Sequence, residues 1–294
     1  MVSRQVDLGG PVHYADFGGS GPPLVLIHGL AVSHLTWLAV APRLALRHRV
    51  YAIDFIGHGL TPLAGRKANL HGHRSLITRF LKEVVGQPAV LVGNSTGGHL
   101  ALQVAVAQPE RVSGVVLVDA SVPVPMAGLR VMAHQIGVWG LLLPGLAEFA
   151  LRAHSRRGAR KVVEQVARAC TPHPDRIPAE VVERMVRLQE QRSVREDARA
   201  VMMTLRSLWY WNFRRGPFRR TLAAVRAPAL IVHGDRDPLV PPAAAHELHR
   251  RRPDWHLHVF QDCGHIPMLE QPAEFLEVVE RWLESDVRGR GSDR

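Results

Sequence analysis

The sequence predicts an α/β protein in which a mostly parallel central sheet is flanked by helices and interrupted by a helical insertion. In both end portions of the chain, short apolar segments rich in β-branched residues alternate with segments of helical spacing, as in βα units. Between residues 121 and 220 this alternation stops, and prolines separate several helical segments. A chain of 294 residues is long enough to bury the core of one large domain carrying such an insertion.

Each predicted strand is a short apolar run, which is typical of strands buried on both faces. These runs cover Val12–Phe17, Leu24–His28, Val50–Asp54, Ala89–Gly93, Gly114–Asp119, Ala229–His233 and His256–Phe260. Apolar residues at helical spacing predict helices over Thr36–Ala45, Leu70–Val85, Gly98–Ala107, Ala243–Arg251 and Ala273–Glu284. We therefore expect an α/β core formed by residues 1–120 and 221–294, with residues 121–220 inserted in the position of a lid.

The insertion contains many apolar and aromatic residues, and these admit two interpretations. They either line a pocket for an apolar substrate or pack the insertion onto the core. Trp139 is the candidate pocket residue among them, in a group that also includes Met126, Phe149 and Trp209.

The formal net charge is +11, and nearly all of it comes from arginine. Six basic residues lie close together in the insertion: Arg152, Arg156, Arg157, Arg160, Lys161 and Arg168. This cluster either attracts an anionic membrane surface or an acidic substrate, or it is a solvated helical face. No nucleic-acid-binding motif and no interleaved aromatic residues accompany the charge, so we expect no nucleic-acid partner.

Nothing in the sequence indicates secretion or insertion into a membrane. The first residues contain no apolar run long enough for a signal peptide, and no segment has the length of a transmembrane helix. Cys170 and Cys263 are too few for a disulfide framework or a metal site. We therefore predict a cytoplasmic protein, and the sequence carries no signal for a particular oligomeric state.

The segment Gly93-Asn94-Ser95-Thr96-Gly97 has the pattern of a nucleophile elbow, with a predicted strand before it and a predicted helix after it. In such a turn, side chains at the two glycine positions would collide with neighbouring backbone. The serine hydroxyl stands clear of the sheet, at the N-terminus of a helix that favours negative charge. Ser95 is therefore the candidate nucleophile.

A serine nucleophile needs a base, and the base needs an acid that orients it. His265 is the candidate base, because it lies in a loop between the last predicted strand and a helix. Asp237 is the candidate acid, because it lies in the loop after the strand that ends at His233. Asp235, nearer that strand, and Asp119, after the strand that follows the elbow, are the alternatives, and we expect both to form turns.

An oxyanion hole is expected from two backbone N–H groups, those of Thr96 and Leu30. Thr96 follows the candidate nucleophile, and Leu30 lies in the loop after the second predicted strand. His28, Asn94 and Ile266 are candidate pocket residues beside this site. His28 is also expected to brace its loop, and Asn94 either orients the elbow or contacts substrate.

With these motifs the sequence resembles the α/β-hydrolase superfamily. The matching motifs run from His28-Gly29 through the Asp54–Gly59 turn and the elbow to the Asp237 and His265 loops. The candidate nucleophile, acid and base also follow the superfamily's order of Ser, Asp and His. Such motifs specify the fold and the nucleophilic mechanism more strongly than the substrate.

Within the superfamily, Gly-Asn-Ser-x-Gly-Gly is similar to the C–C bond hydrolases that cleave ring-fission diketones. Those enzymes usually carry a His-Gly-x-Gly-Pro-Gly loop, whereas this chain has Leu30 and Ala31 after His28-Gly29. They also usually have Trp after the catalytic histidine, where this chain has Ile266.

The resemblance implies a serine hydrolase that forms an acyl-enzyme on carboxylic esters with an apolar acyl group. It implies a small-molecule ester as the partner and requires no metal and no organic cofactor. Two alternatives stay open: a C–C bond hydrolase of diketone-type substrates, and a ligand-binding or signalling member of the fold with low turnover.

Overall fold

The computed structural model describes residues 1–123, 158–212 and 215–288. At its centre is an eight-stranded sheet with the strand order β1-β2-β4-β3-β5-β6-β7-β8. The strands are β1 (Val2–Asp7), β2 (Pro11–Gly18), β3 (Pro23–Ile27), β4 (Arg49–Ile53), β5 (Ala89–Asn94), β6 (Val112–Val118), β7 (Ala229–Gly234) and β8 (His256–Phe260). The pairs β1–β2 and β2–β4 are antiparallel, and β3 to β8 are parallel. The mostly parallel sheet predicted from the sequence is confirmed.

The helices of the described residues are α1 (Ala41–Leu44), α2 (Leu70–Phe80), α3 (Thr96–Ala107), α4 (Ala159–Cys170), α5 (Ala179–Gln191), α6 (Val194–Asn212), α7 (Arg215–Ala224), α8 (Ala243–Arg251), α9 (Pro267–Glu270) and α10 (Pro272–Trp282). The helix predicted from Thr36 to Ala45 consists instead of two short pieces, a 3₁₀ turn at His34–Trp37 and α1. Pro42 lies in the first turn of α1, where proline can begin a helix but cannot continue one from the preceding turn.

Strand β1 is not predicted by the sequence, because it lies at the edge of the sheet. Its side chains are almost all exposed, so it lacks the alternation of apolar and polar residues that marks a half-buried strand. Backbone pairing with β2, from Val2 opposite Asp16 to Asp7 opposite Pro11, holds it in place.

Apolar side chains pack against both faces of the sheet. Along β3, Val25 and Ile27 belong to one hydrophobic cluster and Leu24 and Leu26 to the other. All four side chains are fully buried. Since each central strand buries both faces, its sequence is a continuous apolar run, and polar side chains concentrate in the loops at the strand ends.

Helices α4 to α7 lie between β6 and β7 in sequence and form the described part of the insertion. Hydrogen bonds attach them to the core: Thr204 Oγ1 donates to the Ala68 carbonyl oxygen at 2.7 Å, and Leu70 N donates to Ser207 Oγ at 3.1 Å. The boundaries of the insertion at residues 120 and 220 stay a prediction. Among the described residues, no helix combines the length and the apolar character needed to cross a membrane.

The basic cluster of the insertion is described only in part, because Arg152, Arg156 and Arg157 lie outside the described residues. Arg160 pairs with Glu183 at 2.8 Å on the surface. Lys161 and Arg168 are exposed. These three basic residues form a solvated helical face, and attraction of the cluster to an anionic membrane stays a prediction.

Candidate active site

Ser95 lies between the end of β5 and the start of α3, in a backbone conformation with φ 54° and ψ −114°. A Cβ built on Gly93 would lie 2.4 Å from the carbonyl carbon of Gly97, and one on Gly97 would lie 2.2 Å from the Ile27 carbonyl oxygen. Only glycine fits at both positions, as the elbow pattern predicts. Ser95 N donates to the Val118 carbonyl oxygen at 2.8 Å, which ties this strained turn to the neighbouring strand.

His265 and Asp237 form a buried hydrogen-bonded pair in the loops that follow β8 and β7. His265 Nδ1 donates to Asp237 Oδ2 at 2.6 Å. Asn94 Nδ2 donates to the carbonyl oxygen of His265 at 3.1 Å, so the His265 loop lies against the residue that precedes Ser95. The structure thus brings the candidate nucleophile, acid and base to one edge of the sheet.

Asp237 is held in one orientation and in the ionised form. Leu239 N and Val240 N donate to its Oδ1 at 2.7 and 2.9 Å. Burial alone would raise the pKa of Asp237, but the charge of His265 and hydrogen bonds from His233 and His265 hold it below the ordinary value. Its second oxygen is therefore a fixed acceptor for the His265 ring.

The two alternative aspartates have different partners. Asp235 Oδ1 accepts a hydrogen bond from Cys263 N at 3.2 Å, and Asp119 Oδ1 accepts one from Gly234 N at 2.9 Å. Both contacts support the turn-forming roles expected from the sequence. Burial and the neighbouring Asp237 raise the pKa of Asp119 well above its ordinary value. We call Asp119, His233, Asp237 and His265 the Asp237 cluster.

The loop after β3 lies against the elbow, where one donor of the oxyanion hole is predicted. A Cβ built on Gly29 would lie 3.3 Å from Ser95 Cβ, and Leu30 follows Gly29. Thr96 is the first residue of α3, and N–H groups in the first turn of a helix have no intrahelical partner. The places of Leu30 and Thr96 agree with their proposed roles, which stay a prediction.

His28 and Asn94 are buried behind this loop, and neither belongs to the described lining of the cleft. His28 Nδ1 donates to the Gly29 carbonyl oxygen at 2.7 Å, and its Nε2 accepts from Phe55 N at 3.1 Å. Burial lowers the pKa of His28 to about 4, so its ring is neutral at neutral pH. These contacts favour a bracing role for His28 and an orienting role for Asn94.

A second buried carboxylate, Asp54, follows β4 and holds the same loop from its other side. Asp54 Oδ2 accepts from His13 Nδ1 at 2.7 Å, His34 Nδ1 at 2.9 Å and Leu60 N at 2.9 Å. Burial would raise the pKa of Asp54, but the charge of His34 and these hydrogen bonds place it well below the ordinary value. We call His13, His34 and Asp54 the Asp54 cluster.

Sequence reasoning identified the turn at Asp54 but missed its two histidines. They lie 41 and 20 residues from Asp54 in the chain, so no local pattern joins them. The signal that was available is His13 itself, a titratable residue within the predicted strand Val12–Phe17. Buried polar groups need partners, so such a histidine indicates a buried acceptor nearby.

The Asp54 cluster, and in the Asp237 cluster Asp119, His233 and Asp237, contain donor types that bind metal ions, with candidate ligand atoms within 4.8 Å of one another. In the Asp54 cluster, the distances of 2.7 and 2.9 Å are those of hydrogen bonds from protonated Nδ1 atoms. A metal ion would require both nitrogens to lose their protons. Hydrogen bonding therefore accounts for the cluster.

An apolar cleft with about 670 Å³ of free space, including its open mouth, adjoins the site. Its wall includes Ala31 and Ile266 from the core, Val162 and Val166 from α4, and Met185 from α5. Ala31 follows Leu30 and Ile266 follows His265, so the cleft begins beside the candidate catalytic groups. Ile266 lines this cleft, and its role in binding substrate stays a prediction; Trp139 lies outside the described residues.

Arg192 is a charged side chain in the described lining of this cleft, and the sequence did not single it out. Its Nε donates to Asp197 Oδ1 at 3.0 Å, and its Nη2 donates to the Gly57 carbonyl oxygen at 3.0 Å. The guanidinium is therefore held by the insertion and by the core at once, and its charge is balanced by a carboxylate.

Residues 24–278 match the model of the alpha/beta hydrolase family. The chain therefore belongs to that family, in agreement with its sheet topology and with the resemblance seen in the sequence.

Individual relatives include ester hydrolases. The chain is 28% identical over 271 residues to the pimeloyl-[acyl-carrier protein] methyl ester esterase of Nitrosospira multiformis, covering 92% of this chain and 97% of that protein. Among solved structures, a thermophilic esterase from Thermogutta terrifontis is similar with a TM-score of 0.72 and 21% identity, covering 98% of this chain and 100% of that one. A meta-cleavage product hydrolase gives a TM-score of 0.75 and 23% identity, covering 96% and 98%. These two structural likenesses show the fold alone.

Proposed function

We propose that this chain is a serine hydrolase that forms an acyl-enzyme and acts on carboxylic esters with an apolar acyl group. The observation that carries the proposal is the buried 2.6 Å hydrogen bond between His265 Nδ1 and Asp237 Oδ2, at the sheet edge that also carries Ser95. A serine at positive φ on a glycine-bounded turn, beside such a pair, has the arrangement that nucleophilic catalysis requires.

In the proposed mechanism, Ser95 Oγ attacks the ester carbonyl while His265 Nε2 accepts its proton. Ionised Asp237 keeps the His265 proton on Nδ1 and stabilises the imidazolium that forms. The N–H groups of Thr96 and Leu30 bind the oxyanion, and each such donor typically contributes about 3 kcal/mol of transition-state stabilisation. His265 then protonates the leaving alkoxide, and water repeats the sequence on the acyl-enzyme.

The substrate class is proposed from the cleft and from the relatives. Aliphatic side chains make up most of the described lining, which favours an apolar acyl group. The relative from Nitrosospira multiformis is named as a methyl ester esterase, which supports an ester as the scissile group. An ester with an apolar acyl group therefore suits the described lining better than a polar substrate.

The proposal is tested by labelling with a fluorophosphonate, followed by intact-mass analysis, beside hydrolysis of aryl esters of increasing acyl length. We expect one adduct on the wild type and none on Ser95→Ala, which should also lose turnover on the order of 10⁶-fold. Near-normal turnover in Ser95→Ala would contradict the assignment. Labelling with negligible turnover of every ester would favour C–C hydrolysis or low-turnover ligand binding instead.

A further inference from the structure

Three consecutive backbone amides position His265, and two different parts of the chain accept their hydrogen bonds. Gly264 N donates to both carboxylate oxygens of Glu270 at 3.0 Å, and Ile266 N donates to Glu270 Oε1 at 3.4 Å. His265 N donates to the Cys170 carbonyl oxygen at 2.7 Å. Glu270 belongs to the core, whereas Cys170 is the last residue of α4 in the insertion. The backbone of His265 is therefore held from both sides.

Thr171 connects these two supports directly. Its Oγ1 donates to Glu270 Oε2 at 2.5 Å. Thr171 is 1% exposed and Glu270 6% exposed, so water does not compete for this hydrogen bond. The approach is close, because a Cβ built on Gly264 would lie 2.6 Å from the Cys170 carbonyl oxygen. The end of α4 and the His265 loop are therefore in direct contact through both backbone and side-chain atoms.

The segment after α4 contacts the same loop at its beginning. Arg176 Nη2 donates to Asp262 Oδ2 at 2.6 Å, and His173 Nε2 lies 2.9 Å from Asp262 Oδ1. Asp262 has a φ of 51°, which places it at the sharp turn that opens the His265 loop. Residues 170–176 thus follow this loop from its first turn to His265.

Helix α4 also forms one wall of the apolar cleft. Val162, Val166 and Cys170 all line it, and they lie on the helix whose C-cap is Thr171. A helix is a stiff element in a closely packed interior, so a displacement at the cleft wall reaches its C-terminal end. A ligand in the cleft would therefore contact the helix whose C-terminal end holds the His265 backbone.

We propose that Glu270 is a positioning residue for His265 and that Thr171 couples it to occupancy of the cleft. The inference rests on the proposed function, because it takes the cleft as the acyl-binding site. A long acyl chain supports α4, and Cys170 and Thr171 then hold the His265 loop in place. A short acyl chain leaves α4 less supported and His265 less well positioned. Acyl length therefore affects kcat as well as KM.

The test compares kcat and KM for p-nitrophenyl esters from acetate to decanoate in the wild type and in Thr171→Val. This substitution removes the hydroxyl donor with little change in shape. Wild-type kcat is expected to rise with acyl length. Thr171→Val should lose about tenfold in kcat for long chains. This loss lies within the ~10²-fold that a misplacement of about 1 Å can cause. The dependence of KM on length is retained, because the apolar wall is intact. Thr171→Ser, which keeps the donor, should restore kcat.

Thr204→Val is the matched control. Thr204 Oγ1 makes another buried hydrogen bond between insertion and core, to the Ala68 carbonyl oxygen at 2.7 Å, away from the His265 loop. We expect it to lower thermal stability but to keep the rise of kcat with acyl length. The proposal is overturned if Thr171→Val lowers kcat equally for all esters, if Thr204→Val has the same effect, or if wild-type kcat is independent of acyl length.

Amide hydrogen exchange at residues 264–266, with and without decanoate, separates this inference from the proposed function because it needs no turnover. Decanoate should slow exchange in the wild type and in Thr171→Ser but not in Thr171→Val. If decanoate slows exchange in the wild type but the fluorophosphonate does not label it, the coupling is supported and the serine mechanism is rejected. Labelling of Ser95 without any slowing by decanoate would reject the coupling alone.

Discussion

The Asp54 and Asp237 clusters lie at the same edge of the sheet and are built from the same residue types, yet their surroundings differ. Asp54 receives His13 from β2 and His34 from the loop after β3, so it cross-links three neighbouring segments. The second ring nitrogen of His13 is also engaged, with Ser3 Oγ at 2.8 Å. Asp237 instead holds His265, whose loop lies against the elbow. The same ion-pair chemistry supports the fold at one site and, we propose, catalysis at the other.

The largest effect that separates the clusters is expected from Asp237→Asn. Asparagine would present an N–H group to the His265 ring and favour the wrong tautomer, so kcat should fall about 10⁴-fold while the fold is retained. Steady-state kinetics and thermal unfolding of the purified variant measure both properties. Asp235→Asn is the matched control and should keep kcat within a few-fold. The opposite pattern between these two variants would show that the acid is misassigned.

Asp54→Asn is expected to act on stability instead. It leaves two histidine rings and the Leu60 amide with fewer or poorer acceptors, and breaking a buried charged network typically costs about 3–5 kcal/mol. Urea unfolding measures this loss, and kcat per folded molecule should change only a few-fold. Asp175→Asn on the surface is the control and should be neutral. A stable Asp54→Asn variant with a large loss of kcat would remove the distinction between the clusters.

The response to acid should also differ in sign between the two regions. Burial lowers the pKa of His28 to about 4 and that of His73 to about 3, both on the Asp54 side. Below their ordinary pKa of about 6.5, these histidines take up protons in the unfolded chain but not in the folded chain. The free energy of unfolding therefore falls between about pH 6.5 and 4. At His233, burial lowers the pKa, but the hydrogen bond to Asp237 and the charge of that carboxylate help to raise it above the ordinary value. His233 therefore adds stability as the pH falls through its raised folded-state pKa to about 6.5, and its contribution is constant below that.

Urea unfolding between pH 7 and pH 4 checks this expectation. His73→Gln keeps a donor near Thr204 but removes the titrating ring. Its free energy of unfolding should therefore fall by about 3 kcal/mol less than that of the wild type over this interval. His233→Gln should lose more than the wild type, because its compensating proton uptake is gone. Equal pH dependence in all three proteins would show that these histidines do not control the acid response.

The parts of the site that the sequence predicts are those that local backbone geometry imposes. The elbow needs Gly93 and Gly97 because backbone atoms approach within van der Waals distance there, and this need is visible in five consecutive residues. The loops that carry Asp237 and His265 follow directly from strand ends. The fold class and the family, both confirmed, could be predicted for the same reason, because apolar runs and tight turns are properties of short segments.

The parts that the sequence does not predict depend on contacts between distant residues. Thr171 and Glu270 are 99 residues apart, and Glu270 has the sequence context of an ordinary residue near the start of a helix. The donors to its carboxylate include the backbone amides of Gly264 and Ile266, which leave no trace in side-chain identity. The same holds for the Asp54 cluster and for β1, whose position depends on backbone pairing with β2. Such contacts require the fold before they can be recognised.

The smallest effect is expected from Asp119→Asn. This variant tests whether Asp237 alone carries the negative charge of the Asp237 cluster. Asp119 lies beside Asp237 with a raised pKa, which favours its protonated form, and its Oδ2 has no hydrogen-bond partner among the described residues. Asparagine reproduces the shape of that neutral acid and keeps an acceptor for Gly234 N. Asp119→Asn should therefore keep kcat within about threefold and change the free energy of unfolding by less than about 1 kcal/mol. Asp119→Ala, which removes both the acceptor and the donor, should destabilise the protein by about 1–3 kcal/mol. A loss of 10²-fold or more in kcat for Asp119→Asn, at unchanged stability, would mean that Asp119 works as an ionised acid and that catalysis uses both strand-end aspartates.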